Sequence, residues 1–184
     1  MSIRTEFVNV IDLESTCWRR PKDKPDDQRQ EIIEIGICAV NIPDLEIVGK
    51  EAIFVKPIHS EVSDFCTELT SITPEMVEDG YTLNEAFDIL KNEYDSHNRI
   101  WASWGDWDRK MFQKDCLTKG VQYPFADTHF NIKALYSLHN GLTTQRGLGK
   151  ACRLEGLEFD GTHHRGVDDA YMISQLLLRL LQAE

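Results

Sequence analysis

The sequence lacks any apolar run long enough to cross a bilayer. Its longest apolar stretches, such as Ala52–Val55 and the segment Leu176–Leu181, are far shorter than the ~20 residues that a transmembrane helix needs. The first residues, MSIRTEF, do not contain the apolar core of a secretory signal. We therefore expect a cytoplasmic protein with no membrane partner.

The chain is also poor in positive charge. Lys and Arg together number 20 against 31 Asp and Glu residues, so the formal net charge is -11 and the pI is near 5.0. This balance argues against binding of duplex nucleic acid or anionic membranes through a broad basic surface. If nucleic acid is a partner, a local feature of the surface must bind it.

Cysteine pairs of the zinc-binding type are absent. The five cysteines are odd in number, contain no C-x-x-C pair and lie mostly in apolar segments: Cys17, Cys38, Cys66, Cys116 and Cys152. We interpret them as reduced core residues. A chain of 184 residues is long enough for one sizeable core but short for two, so we expect a single domain over residues 1–184.

The order of predicted elements indicates an α/β fold. The strand-like runs are Phe7–Ile11, Glu31–Val40, Glu46–Val55 and Ile100–Trp104. The helical patterns are Asp64–Thr70, a short helix from Pro74, Thr82–Tyr94, Asp108–Lys119, Ile132–Asn140, Arg146–Leu154 and Val167–Leu181. We expect a mixed central sheet, with three N-terminal antiparallel strands, flanked by α-helices. The charged, Pro-containing segment Arg19–Gln28 is predicted to be a mobile loop.

An acidic pair marks the end of the first predicted strand. Asp12 and Glu14 are two residues apart, so in a strand both project from the same face. Two carboxylates on one face repel each other unless cations bind there. The alternative is a solvated strand end, and a second D-x-E triplet, Asp44–Glu46, lies in a predicted turn.

Further acids lie at two predicted helix starts. Asp108 shares a helical face with Met111, Phe112 and Asp115 and is therefore predicted to point inward, whereas Asp106 precedes the helix.

In the C-terminal helix, Asp169 lies four residues before Ile173, near the predicted buried stripe. The alternative is an acid favoured by the helix macrodipole. A His-x4-Asp spacing fits twice, as His163/Asp168 and His164/Asp169, so the spacing alone does not choose between them.

Three motifs in this order resemble the DEDDh branch of the DnaQ-like 3′-to-5′ exonucleases, over nearly the whole chain. They are VIDLEST (Val10–Thr16), SWGDWDRKMF (Ser103–Phe112) and HRGVDDA (His164–Ala170). Within that family the chain is most similar to the Eri-type and KapD-like exoribonucleases. This closer resemblance depends on FCTELTSIT (Phe65–Thr73), the pair Trp107-Asp108, YPF (Tyr123–Phe125) and LEFDG (Leu157–Gly161).

The family motif resolves the open choice between His163 and His164 and agrees with the helical-face argument for Asp108. It places a small residue two positions after the histidine, and Gly166 meets this requirement for His164, whereas Arg165 does not for His163. It also selects Asp108 over Asp106.

The resemblance implies an RNase H-like fold and a metal-dependent 3′-to-5′ exoribonuclease. Asp12, Glu14, Asp108 and Asp169 would hold two Mg²⁺ or Mn²⁺ ions, and His164 would be the general base. The substrates would be 3′ ends of single-stranded RNA or short overhangs, and the products nucleoside 5′-monophosphates. The protein partners stay undefined by the sequence.

The resemblance also implies contacts with the terminal nucleotide. Leu13 would offer backbone contacts and an apolar surface, and Leu69 and Thr70 would line the nucleotide pocket. Trp107 is placed to stack on a base, although packing in the core is the alternative. The basic residues of Arg19–Lys24 could guide a strand or simply form a solvated loop.

Three other functions remain open at this point. A DNA-directed exonuclease of the same family differs only in contacts to the 2′-OH, which the sequence does not display. A non-catalytic module could bind metal or nucleotide with the same carboxylates. An RNase H-type endonuclease would lack the histidine of the third motif.

Overall fold

A computed structural model describes residues 4–182 and contains a five-stranded mixed sheet. The strands are β1 (Arg4–Ser15), β2 (Ile32–Asn41), β3 (Glu46–Phe54), β4 (Arg99–Ser103) and β5 (His129–Asn131). Their order across the sheet is β3-β2-β1-β4-β5. The first three strands are antiparallel neighbours, whereas β4 pairs in parallel with β1 and β5 with β4. The predicted N-terminal meander and mixed sheet are therefore present.

Helices cover both faces of the sheet. They are α1 (Asp64–Thr70), α2 (Pro74–Glu78), α3 (Leu83–Asn92), α4 (Trp107–Lys119), α5 (Ile132–His139), α6 (Leu148–Leu154) and α7 (Gly166–Gln182). One core cluster joins α3 and α4 to the face of β1 that carries Ile11 and Leu13. A second cluster joins α5, α6 and α7 to the opposite face, which carries Val8 and Val10. Alternation along β1 thus separates the two layers.

Local sequence signals explain several element boundaries. Thr82 and Glu85 form a capping box at the start of α3, and Thr73 caps α2 ahead of Pro74. Gly120 ends α4 in the left-handed conformation, as expected for a C-cap glycine.

The structure differs from the sequence-based expectations at three places. β1 continues to Ser15 because its polar end pairs with buried β2, so Asp12 and Glu14 lie within the strand rather than after it. The short strand β5 was not predicted; it forms because Trp101–Ser103 of β4 offers it a parallel pairing edge. Within Arg19–Gln28 a 3₁₀ helix spans Pro21–Asp23, started by proline and supported by an Arg20–Asp23 ion pair.

All five cysteines are free, as expected, and four of them are buried. Cys17 is the exception and is partly exposed. Across residues 4–182, the helices are too short or too polar to serve as membrane spans.

Candidate active site

The strand β1 supplies the first two carboxylates of the site. Asp12 and Glu14 project from the same face as Val10, toward the layer that contains α7. Glu14 is only 9% exposed, although no cationic side chain pairs with it in the described part of the chain. An apolar residue would pack better than an acidic one in such a buried strand, so these acidic side chains indicate a functional site.

The first turn of α4 supplies the third carboxylate. Asp108 is 4% exposed, and its Oδ1 accepts a hydrogen bond of 3.0 Å from the backbone N–H of Leu13. This bond ties α4 directly to the strand segment between Asp12 and Glu14. Asp106 precedes the helix and instead pairs with Arg109, so the structure agrees with the choice of Asp108.

The helix α7 supplies the fourth carboxylate through an unusually close approach to the sheet. A Cβ atom on Gly36 of β2 would lie 1.9 Å from the carbonyl carbon of Gly166, and a Cβ on Gly166 would lie 2.9 Å from the backbone oxygen of Asp12. Only glycine at both positions permits this contact. One turn further along α7, Asp169 therefore reaches Asp12 and Glu14.

Three of the four carboxylates lie closely enough to share a cation. Oxygen atoms of Asp12, Glu14 and Asp169 all lie within 4.8 Å of one another. Burial and repulsion from neighbouring carboxylates raise the pKa of Glu14 to about 9, and the same causes hold the pKa of Asp12 well above its usual value. Burial also raises the pKa of Asp169, and that of Asp108 to about 6. A divalent cation would relieve this repulsion.

Two histidines meet Asp169 from the loop before α7. The Nδ1 atom of His163 lies 3.0 Å from Oδ1 of Asp169, within hydrogen-bond distance. The backbone N–H of His164 lies 3.3 Å from Oδ2 of the same carboxylate. The two imidazole rings stack with centroids 4.1 Å apart, so both histidines face the site. The geometry therefore leaves both as candidates.

A cavity of about 410 Å³ brings the predicted site residues together. Besides Asp12, Glu14, Asp108, Asp169 and His164, its wall includes Leu13, Leu69 and Trp107, as the resemblance implied. Trp107 is 45% exposed, which leaves its indole available for stacking.

Thr70 is the exception, and this part of the prediction is corrected. Its side chain is fully buried, and its hydroxyl bonds to Cys66 O and Ile72 N, so it stabilises the end of α1 instead of lining the cavity.

Sequence reasoning also missed part of the cavity wall, namely Ser15, Cys17, Gln30, Trp104, Gly147, Leu148 and His163. The His163/Asp168 spacing was a usable signal for His163. Trp104 packs on the second core cluster, and its indole N–H donates to the backbone oxygen of Arg146. No sequence signal marked Gly147 and Leu148, because only the fold brings the start of α6 to β1.

Comparison with known proteins decides the family. A family model described as an exonuclease matches residues 9–177 of this chain. The chain belongs to the exonuclease family. The human protein ERI1 exoribonuclease 3 is 32% identical over 189 residues, which cover 96% of this chain and 54% of that protein. ERI1 exoribonuclease 2 of Xenopus laevis is 30% identical over 200 residues, covering 96% of this chain and 28% of that protein.

Solved structures of the exonuclease family agree with this assignment. The nuclease domain of 3′hExo, a DEDDh family member bound to rAMP, superposes with a TM-score of 0.85 at 29% identity, covering 99% of this chain and 94% of that one. A 3′-exonuclease solved for recognition of the histone mRNA stem-loop gives a TM-score of 0.84 at 28% identity, covering 98% of this chain and 65% of that one. The predicted RNase H-like fold and the Eri-type DEDDh resemblance are confirmed.

The donor set fits the divalent metal dependence of DEDDh exonucleases. Asp12, Glu14 and Asp169 offer carboxylate oxygens only, which hard cations prefer. The raised pKa values show that these groups are poorly compensated by the protein itself. The chain spans about half the length of the human relative and less than a third of the frog relative.

Proposed function

We propose that this protein is a 3′-to-5′ exoribonuclease. It hydrolyses the terminal phosphodiester bond of single-stranded RNA or of short overhangs and releases nucleoside 5′-monophosphates. The observation that carries the proposal is the convergence of four carboxylates from β1, α4 and α7 on one cavity beside a histidine. Such a set suits metal-assisted phosphoryl transfer better than any other chemistry that these side chains offer.

Each residue of the cavity has a defined task in this reaction. Asp12, Glu14, Asp108 and Asp169 would hold two Mg²⁺ or Mn²⁺ ions, which would supply positive charge to offset the negative charge of the reacting phosphate. His164 accepts the proton of the attacking water. Burial and the neighbouring His163 hold the pKa of His164 below its usual value of 6.5, so its imidazole is neutral near pH 7.

The apolar wall of the cavity positions the last nucleotide. Leu13 and Leu69 present aliphatic surface, and the exposed indole of Trp107 stacks on a base. Stacking tolerates every base, so the enzyme degrades 3′ ends without strong sequence preference. The names of the human and frog relatives support RNA as the substrate, and the rAMP complex of the similar nuclease domain supports a nucleoside monophosphate product.

The direct test is a time course with 5′-labelled single-stranded RNA and DNA of equal sequence. We expect a ladder that shortens from the 3′ end with Mg²⁺ or Mn²⁺, no shortening with EDTA, and faster degradation of RNA. Asp12→Asn should reduce the rate to the EDTA background, because it removes one ligand charge without changing side-chain volume.

Asp44→Asn is the matched control. Asp44 begins the second D-x-E triplet, but it lies in the exposed turn between β2 and β3 and accepts a hydrogen bond from Asn41. It should keep wild-type activity. Faster degradation of DNA would replace the RNA assignment with a DNA-directed enzyme. Absence of shortening with either polymer and both ions would overturn the proposed activity and favour a binding module.

A further inference from the structure

A fifth carboxylate lies beside the metal-binding candidates but does not face the cavity. Glu34 of β2 is fully buried and stands directly opposite Glu14 in the β1–β2 pairing. It is absent from the cavity lining and from each group of potential metal ligands found among the described residues. A buried carboxylate in this position requires strong compensation from other groups.

That compensation comes from three consecutive residues. The carboxylate of Glu34 accepts hydrogen bonds from the backbone N–H of Gly166 at 3.0 Å and of Val167 at 3.4 Å. The Nε of Arg165 donates to it at 3.2 Å and forms an ion pair. Glu34 thus caps the positive end of the seventeen-residue helix α7 from the neighbouring strand.

The position of these three residues in the chain matters. These three residues follow His164 directly in the chain, and only Asp168 separates them from Asp169. The Gly36–Gly166 contact fixes how close this segment lies to the sheet, and the Glu34 bonds fix its rotation and its shift along the strand. The backbone N–H of Asp169 in turn bonds to the carbonyl oxygen of Arg165 at 2.8 Å.

We propose that Glu34 is a positioning residue that sets Asp169 and His164 relative to Asp12 and Glu14 by holding residues 165–167. The negative charge of Glu34 is compensated by Arg165 and by the N–H groups at the start of α7, so Glu34 does not act as a metal ligand. This role rests on the proposed function of the site. Cleavage would then depend on Glu34 although this residue contacts neither metal nor substrate.

The test compares Glu34→Gln with Glu31→Gln in the full chain. Glu31 is a fair match because it is also fully buried, also accepts two backbone N–H groups, from Ile58 and His59, and also pairs with one cation, Lys119. Its partners lie in α4 and in the segment after β3, away from α7. Both variants should lose thermal stability to a similar extent, since each loses one buried ionic acceptor.

Two readouts separate positioning from stability. Below the melting temperatures of both variants, Glu34→Gln should lower kcat by about 10- to 100-fold with KM changed less than about 2-fold, the range typical of groups that orient metal ligands. Isothermal titration with Mn²⁺ in the absence of RNA should show affinity lowered by about 10-fold or more. Glu31→Gln should match the wild type in both measurements.

Wild-type kcat and Mn²⁺ affinity in Glu34→Gln, or equal losses in both variants, would overturn the proposal. If Glu34→Gln does not fold, Arg165→Lys gives the same test, because it removes the Nε contact and leaves the backbone bonds of Glu34 in place; it should produce a smaller loss of the same kind. The Mn²⁺ titration does not depend on turnover. A wild-type protein that binds Mn²⁺ more tightly than Glu34→Gln but degrades no RNA would therefore refute the proposed function and keep the positioning role.

Discussion

At the scale of single residues, the roles of His163 and His164 are the sharpest question that the site poses. Nδ1 of His163 is engaged by the carboxylate of Asp169, and its ring packs on Phe159 at 5.1 Å. His164 adopts a left-handed backbone conformation with φ of 67°, and its side chain reaches the cavity without a side-chain partner among the bonds described. The ring nitrogens of His164 are therefore free to accept a proton, whereas His163 has Nδ1 on Asp169 and Nε2 beside Gly149 of α6.

We therefore expect His164→Gln to lower the rate constant of the cleavage step by about 100- to 10,000-fold, the contribution typical of a general base. His163→Gln should lower it by less than about 10-fold, because glutamine can still bond to Asp169. Single-turnover cleavage of labelled RNA at saturating Mn²⁺ measures both values under conditions that bypass product release. If the loss is larger in His163→Gln, the base is His163 and the motif register chosen from the family pattern is incorrect.

At the scale of elements, the site depends on how α7 packs against β1 and β2. The 1.9 Å separation between a Cβ on Gly36 and the Gly166 carbonyl carbon cannot exist, so any side chain at residue 36 must push the helix away. Asp169 and the loop that carries His164 would move with it. The glycine is therefore a condition for the geometry of the site, although it takes no part in the chemistry.

Gly36→Ala should lower the free energy of unfolding by about 1–3 kcal/mol, as overpacking does, and should reduce kcat strongly in the protein that remains folded. Gly49→Ala is the control, since a Cβ there would meet Ala39 at an ordinary 3.6 Å. Urea unfolding monitored by circular dichroism gives the stability of each variant. A Gly36→Ala variant as stable and active as Gly49→Ala would show that α7 can shift without consequence.

At the scale of the whole molecule, charge limits how the substrate is held. The basic segment after β1 is largely occupied by internal contacts: Arg19 pairs with Glu68, Arg20 pairs with Asp23, and Lys24 bonds to the backbone oxygens of Pro25 and Gln28. These contacts favour the solvated-loop interpretation over a strand guide. With a net charge of -11, binding must come from few phosphate contacts and from stacking.

The affinity for single-stranded RNA should therefore fall only about 5- to 20-fold between 50 and 200 mM salt, as expected for two or three phosphate contacts. Fluorescence anisotropy with Asp12→Asn and Ca²⁺ measures binding without cleavage. The double variant Arg20→Gln/Lys24→Gln should show the same salt slope as its parent. A shallower slope in the double variant would assign those side chains to the strand after all.

Patterns of local origin were readable from the chain alone. Alternation and apolar runs located β2, β3 and β4, and the capping box located the start of α3. The three-residue strand β5 was not predictable, because it is too short to show a strand pattern and is stabilised by its pairing with β4. The end of β1 was misplaced for the same reason, since its polar residues Asp12, Glu14 and Ser15 stay in the strand through pairing with β2.

The sequence by itself indicated the family, the order of the elements other than β5, and four candidate carboxylates, because motif spacing and residue chemistry are properties of the chain. Only the tertiary structure showed that Thr70 is turned into the core, that His163 shares Asp169 with His164, and that Glu34 holds the start of α7. The burial of Thr70 follows from the packing of α1 in the core around Cys66 and Ile72. The Glu34 contact joins residues far apart in the chain, and it arises because α7 packs on β2 through two glycines that leave no room between them.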